Sequence, residues 1–205
     1  MHSSSEDPTP AEGVMAERRA VALRKFDDRI PALYRKHIDL PEQAADWIAG
    51  WGGSSLFPTG PIGVGKTLTA WRTCRRWLEA QYAPGTPWQG TPLIQTWRST
   101  ALFDALRPDA ADGQGRALLK ELQRCELLFI DDLAAARAST WTQERLFELF
   151  DERYINRRPV IITCDVLPNE LGEVTGPRVA SRLAEMCRNS VVLLEGNDFR
   201  KGAAA

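Results

Sequence analysis

Eight residues, Gly60-Pro61-Ile62-Gly63-Val64-Gly65-Lys66-Thr67, constrain the fold more than any other segment. They satisfy the pattern G-x-x-x-x-G-K-[ST] at every fixed position. Glycines let the main chain turn tightly and aim successive N–H groups at an anion. The loop runs into a helix whose N-terminal partial charge also favours negative groups. In such a loop Lys66 places its ammonium on the outer phosphates of a nucleotide, and Thr67 offers a hydroxyl to Mg²⁺. Leu68, next along the helix, is counted with Gly60 to Thr67 among the nucleotide-binding residues. The flanks agree, with a short apolar strand at residues 55–57 before the loop and a helix over residues 67–81 after it. Pro58 stands where strand meets loop. It removes a backbone donor, so the first strand either ends early or leaves that position unpaired.

A phosphate loop needs a carboxylate for its metal. Leu127-Leu128-Phe129-Ile130-Asp131-Asp132 is an apolar run of strand length that ends in two acids. Asp131 is expected to hold Mg²⁺, directly or through water, and Asp132 to orient or deprotonate an attacking water. An acidic turn after a buried strand is a common structural feature by itself. Its place after a complete phosphate loop favours the metal site, and ATP with Mg²⁺ is the expected ligand pair.

The rest of the chain alternates helices and strands. Helices are expected over residues 11–28, 41–48, 98–106, 115–124, 142–156 and 177–187, and strands over 92–96, 126–130, 159–163 and 191–194. The first helix reads as amphipathic, with Val14, Val21, Leu23 and Phe26 on its apolar side. Five apolar strands separated by helices argue for an α/β fold, a parallel sheet covered on both faces. Residues 1–30 read as a short tail and helix, 31–201 as the nucleotide-binding domain and 202–205 as a tail.

With 205 residues at 43% hydrophobic and 26% charged, the chain is ordinary for one globular domain. Its net charge of -1 gives no global basic field, so any nucleic-acid contact must use a local patch. Cys74, Cys125, Cys164 and Cys187 show no C-x-x-C spacing and lie in apolar stretches, which predicts buried, reduced thiols. No run reaches membrane-span length and no signal core opens the chain, so the cytoplasm is the expected location and no membrane partner is expected.

Several segments, taken in order, resemble the AAA+ ATPases of the DnaC/IstB group. They are the strand ending Asp131-Asp132-Leu133, then Trp141-Thr142-Gln143-Glu144-Arg145-Leu146, and Asp151-Glu152-Arg153-Tyr154. Arg158-Pro159-Val160-Ile161-Ile162-Thr163-Cys164-Asp165 comes next, then Gly176-Pro177-Arg178-Val179-Ala180-Ser181-Arg182-Leu183, and finally Gly196-Asn197-Asp198-Phe199-Arg200. The likeness runs from about residue 38 to 201. It implies a three-layer domain with a five-stranded parallel sheet in the order 5-1-4-3-2. No C-terminal helical lid is expected, since the chain ends soon after the fifth strand. It also implies that either Thr163 or Asp165 senses the γ-phosphate; the group usually has Asn at the position of Asp165. Arg178 and Arg182 resemble the arginines that reach into a neighbouring subunit's ATP site, with Arg182 the preferred finger, so self-association is implied. The helical insert before the Asp131 strand would face single-stranded DNA, through Arg107, Arg116, Lys120 and Arg124 and by base stacking on Phe103.

The expected activity is ATP hydrolysis, slow without a partner or DNA, in an oligomeric loader of the replicative helicase. About forty residues precede the stretch that carries the likeness, fewer than the helicase-gripping region of DnaC-type loaders. An IstB-like transposition ATPase that binds duplex DNA and recruits a transposase is the second reading. A P-loop kinase for a small metabolite is the third; the paired arginines would then go unexplained.

Overall fold

The computed structural model describes residues 10–50, 54–83, 92–107, 114–135, 138–167 and 170–196. The tails expected at residues 1–9 and 202–205, and positions 197–200 of the last family-like segment, lie outside them. The helices are α1 (Pro10–Arg29), α2 (Glu42–Ala49), α3 (Lys66–Ala80), α4 (Ser99–Ala105), α5 (Gln114–Arg124), α6 (Thr140–Ile155), α7 (Gly172–Thr175) and α8 (Pro177–Met186). The strands are β1 (Phe57–Thr59), β2 (Ile94–Arg98), β3 (Leu127–Asp131), β4 (Val160–Ile162) and β5 (Val191–Leu193). A single 3₁₀ turn, Ala32–Tyr34, and the four-residue α7 have no counterpart in the sequence expectations.

All strand pairs are parallel. They form two hydrogen-bonded groups, β1-β5 and β2-β3-β4, where one continuous sheet was expected. Two isolated bridges, Leu56 with Ile161 and Thr59 with Cys164, join the groups along β1 and β4. Followed through those bridges, the strands run β5, β1, β4, β3, β2. Pro58 explains the seam. Leu56 N donates to Val160 O at 2.8 Å and Leu56 O accepts from Ile162 N at 2.9 Å. Two residues on, Pro58 O accepts from Cys164 N at 3.3 Å, but the proline ring has no N–H to send back. The first strand therefore continues to Thr59 with one rung missing on its β4 side.

Alternation along the strands builds two cores, one on each face. Leu127, Phe129 and Ile161 face α1, α2 and α3, where Trp71, Cys74, Trp77 and Trp47 are buried. Leu128, Ile130, Val160 and Ile162 face α4, α5, α6 and α8. The apolar side of α1 differs from expectation: Ala22, Phe26 and Ile30 are buried, whereas Val14 and Val21 are exposed. The Phe26 ring tilts against Trp71 at 5.8 Å, and Asp27 accepts from both Nε and Nη2 of Arg75. The second half of α1 is thus built into the layer that α3 forms.

Among the described residues Arg153 is the largest fully buried side chain. Its guanidinium donates to Leu122 O, Cys125 O (2.9 Å), Cys125 Sγ (3.2 Å), Glu126 O (3.4 Å) and Pro159 O (2.6 Å). It ties the entry of β3 to the entry of β4 and so helps set the register in which those strands deliver their C-terminal residues. Burial pushes its pKa down. All four cysteines are free and buried, as expected. Burial pushes the Cys187 thiol up to about 12 and raises Cys74 further. Among the described residues no helix is long and apolar enough to cross a membrane.

Candidate functional site

The loop Gly60–Thr67 connects β1 to α3 across the C-terminal edge of the sheet. Its three glycines all have positive φ: 142° at Gly60, 87° at Gly63 and 98° at Gly65. Gly60 is fixed twice over, because a Cβ there would also overlap the main-chain oxygen of Leu194. Gly65 is the N-cap of α3, so the helix dipole points into the loop. Pro61 and Ile62 are exposed on the outer turn, and Val64 is buried beneath it. Leu68 is buried on the first turn of α3 and anchors the loop. Lys66 Nζ donates to Gly60 O at 2.7 Å and Pro61 O at 3.0 Å, which draws the ammonium across the loop mouth.

The carboxylate side forms where β3 and β4 end together. Asp131 Oδ1 accepts from Thr67 Oγ1 at 2.7 Å and from Thr163 Oγ1 at 2.7 Å. Hydroxyl and carboxylate thus meet across the α3–β3 gap. These hard oxygen donors suit Mg²⁺, which keeps several waters and phosphate oxygens in its own shell. Among the described residues no group of three or more His, Cys, Asp or Glu could enclose a metal by itself, and this mode of binding needs none.

Asp132 follows with φ 56°, a left-handed conformation. Its N–H donates to Thr163 Oγ1 at 2.8 Å, and its carbonyl accepts from Ser99 Oγ at 2.5 Å. Partial burial, with Asp131 and Asp165 nearby, raises its pKa, while Lys66 pulls the other way. Three carboxylates therefore share this end of the sheet with one ammonium. Asp165 is exposed and Thr163 is buried. The Thr163 hydroxyl is already engaged with Asp131 and Asp132. Of the two candidates for sensing phosphate, only Asp165 keeps a solvent-facing side chain. The sequence reading missed Ser99; no local pattern marks it, since its partner lies 33 residues away.

The two arginines of α8 both rest on aromatic rings of α6. Arg178 is exposed, with its guanidinium carbon 4.0 Å from the centre of the Phe147 ring. Among the described residues it has no ion-pair partner. Arg182 lies 4.2 Å from the Tyr154 ring centre and pairs with Asp151 Oδ1 at 2.6 Å and Glu185 Oε2 at 3.0 Å. Tyr154 Oη in turn donates to Glu185 Oε1 at 2.5 Å. Arg182 Nε is buried without a partner. The Asp151-Glu152-Arg153-Tyr154 segment thus supplies an ion-pair partner, a buried tie and a stacking ring in one turn of helix.

Arg116, Lys120 and Arg124 recur every fourth residue along α5 and are all exposed, so they form one cationic stripe. Arg107 is paired with Asp104 at 3.1 Å. Phe103 corrects an expectation: it is 5% exposed and packs in the core, because α4 turns that face onto the sheet. No base can stack on it.

The profile of the bacterial DnaA ATPase domain matches residues 100–187. Among curated relatives, the uncharacterized protein YqaM of Bacillus subtilis (strain 168) is 30% identical over 86 residues, 40% of this chain and 27% of that protein. A putative ATP-binding protein in an insertion sequence, Rv3427c of Mycobacterium tuberculosis (strain ATCC 25618 / H37Rv), is 26% identical over 155 residues, 72% of this chain and 56% of the relative. The chain thus spans between about a quarter and just over half of the length of these relatives. A crystal structure of the DnaC helicase loader superposes with a TM-score of 0.54 at 23% identity, covering 94% of this chain and 95% of that one. The replication initiator DnaA bound to AMPPCP and single-stranded DNA superposes with a TM-score of 0.59 at 19% identity, over 76% of this chain and 45% of that one. At these identities the superpositions establish the fold, which is the P-loop AAA+ fold. The ordered motifs, the profile match and the insertion-sequence relative agree in making the chain similar to the AAA+ P-loop domains of the DnaC/IstB-like group.

Proposed function

We propose that this protein is an ATP-hydrolysing switch that assembles on single-stranded DNA and loads a replicative helicase. The observation that carries the ATPase part is the convergence of Thr67 and Thr163 on one oxygen of Asp131, beside a loop with three left-handed glycines. Lys66 trades its two loop carbonyls for the β- and γ-phosphates. Thr67 and Asp131 would hold Mg²⁺, which when bound would supply neutralising charge to the phosphates. Asp132 takes the proton of the attacking water, and burial beside other carboxylates raises its pKa in the direction a general base needs. Asp165 reports on the γ-phosphate through water.

Transition-state charge needs a further cation, and among the described residues no arginine is hydrogen-bonded to the loop. Arg178 supplies it to a neighbouring subunit. This reverses the preference drawn from sequence: Arg178 leaves only a ring to reach out, whereas Arg182 must abandon two carboxylates. The α5 stripe supports contact with nucleic-acid phosphates, one cation per turn. The loader role is supported by likeness in fold to the DnaC helicase loader.

A second reading is favoured by the insertion-sequence relative: an ATPase that coats duplex DNA and recruits a transposase. One experiment separates them. ATPase rate is measured against protein concentration, alone, with oligo(dT) and with duplex of equal length, alongside ATP-dependent pull-down of the cognate helicase. A rate that climbs steeply with concentration and with oligo(dT), with helicase retained, supports the loader. Stimulation by duplex alone supports the transposition ATPase. A rate strictly proportional to protein concentration rules out completion of the site by a second subunit.

A further inference from the structure

Strand β3 ends at Asp131, and in a continued strand the next side chain would point to the opposite face of the sheet. Asp132 instead adopts φ 56°, which breaks that alternation, and its carboxylate lies within electrostatic reach of Asp131, Asp165 and Lys66. A left-handed backbone is uncommon outside glycine and needs support from its surroundings. Here the support comes from two hydroxyls on other elements. Thr163, just past β4, accepts the Asp132 N–H at 2.8 Å, and Ser99, the first residue of α4, donates to the Asp132 carbonyl at 2.5 Å. Both residues are 1% exposed. Proton accounting fixes the direction at Thr163. A main-chain N–H can only donate, so the single Thr163 hydroxyl proton goes to Asp131 Oδ1, 2.7 Å away.

We propose that Thr163 and Ser99 are positioning residues of the hydrolytic site: together they clamp Asp132 in the conformation that aims its carboxylate, and Thr163 alone also orients Asp131. Neither hydroxyl touches nucleotide. This inference rests on Asp132 acting on the attacking water. It differs from the expectation that Thr163 senses phosphate, since the Thr163 hydroxyl is spent on the two aspartates.

The test compares Thr163→Val, Thr163→Ser, Ser99→Ala and Asp132→Asn in the full chain. It uses steady-state ATPase, binding of fluorescent ADP in EDTA, the Mg²⁺ concentration that half-saturates ATP binding, and thermal melting. Thr163→Val is expected to lower kcat by at least about tenfold while ADP binding in EDTA stays within about threefold of wild type. Its half-saturating Mg²⁺ rises, because Asp131 loses one hydroxyl. Thr163→Ser restores both to within about threefold. Ser99→Ala lowers kcat by roughly three- to tenfold without moving the Mg²⁺ dependence, because Ser99 reaches Asp132 alone. That split between the two hydroxyls is a signature that general loosening of the fold would not give.

A Thr163→Ser as slow as Thr163→Val overturns the inference, since the methyl group and not the hydroxyl then matters. So does wild-type kcat in Ser99→Ala. If Thr163→Val fails to fold, Thr163→Ser and Ser99→Ala decide between them. If wild type binds ATP without turning it over, the Mg²⁺ shift decides. Wild-type turnover in Asp132→Asn sinks the assignment of Asp132 itself. Slow Asp132→Asn beside unaffected Thr163→Val and Ser99→Ala sinks only the clamp.

Discussion

At the sheet edge Asp131, Thr67, Thr163 and Lys66 all find partners within the chain; on the α6–α8 face the two arginines part company. Arg182 is held by Asp151, Glu185 and Tyr154, whereas Arg178 rests on the Phe147 ring and has no ion-pair partner among the described residues. The first region is finished by folding. The second contains one residue that folding uses and one that folding leaves over. Chemistry read from motifs treats the two arginines as a pair; their surroundings treat them as a structural tie and a projecting cation.

The sharpest way to break this contrast is Arg178→Ala. It is expected to abolish the rise of specific ATPase activity with protein concentration, a loss of at least about tenfold at high concentration. ATP affinity and melting temperature stay at wild-type values, because an exposed arginine over one ring adds little stability. If Arg178→Ala keeps the concentration dependence, the projecting cation is not the one that completes a neighbour's site.

Arg182→Ala probes the other arm. Loss of two partly exposed ion pairs and a stacking contact should destabilise the fold by about 1 kcal/mol, roughly 2–4 °C in Tm. An unchanged Tm combined with lost concentration dependence would exchange the roles of the two arginines.

The smallest effect concerns the charge crowded at the sheet edge. A raised Asp132 pKa means the folded chain binds that proton more tightly than the unfolded chain does. Ionised Asp132 therefore costs stability above its folded pKa, and the cost is relieved as pH falls toward the ordinary aspartate range. Asp132→Asn should raise Tm by about 1–3 °C at neutral pH. Part of that gain closes as pH falls through the window between the raised and ordinary values. The remainder, from asparagine's tolerance of the left-handed backbone, does not depend on pH. A gap that is constant with pH would mean that the neighbouring acids do not act on Asp132.

The phosphate loop and the Asp131 strand were legible because their chemistry is local: fixed spacing, glycines and an apolar run. Most helices and strands also lay close to where periodicity put them. What stayed illegible depends on partners far along the chain. Thr163 and Ser99 meet Asp132 from 31 and 33 residues away. Phe103 looked available for stacking because its helix was read without the sheet that covers it. Val14 and Val21 suggested the wrong face of α1 because the surface that buries Ala22, Phe26 and Ile30 belongs to α3 and its neighbours. Arg178 and Arg182 are indistinguishable by spacing, since what separates them is a pair of carboxylates, one of them on another helix.

Pro58 gives the sheet a mechanical grain. β1 leads into the loop Gly60–Thr67 and β4 leads to Thr163, so the missing rung falls between the strand that enters the loop and the strand that delivers the partner of Asp131 and Asp132. A ladder yields first where a rung is absent. The two sides of the candidate site are therefore joined by a seam with one main-chain hydrogen bond fewer than an unbroken ladder would carry.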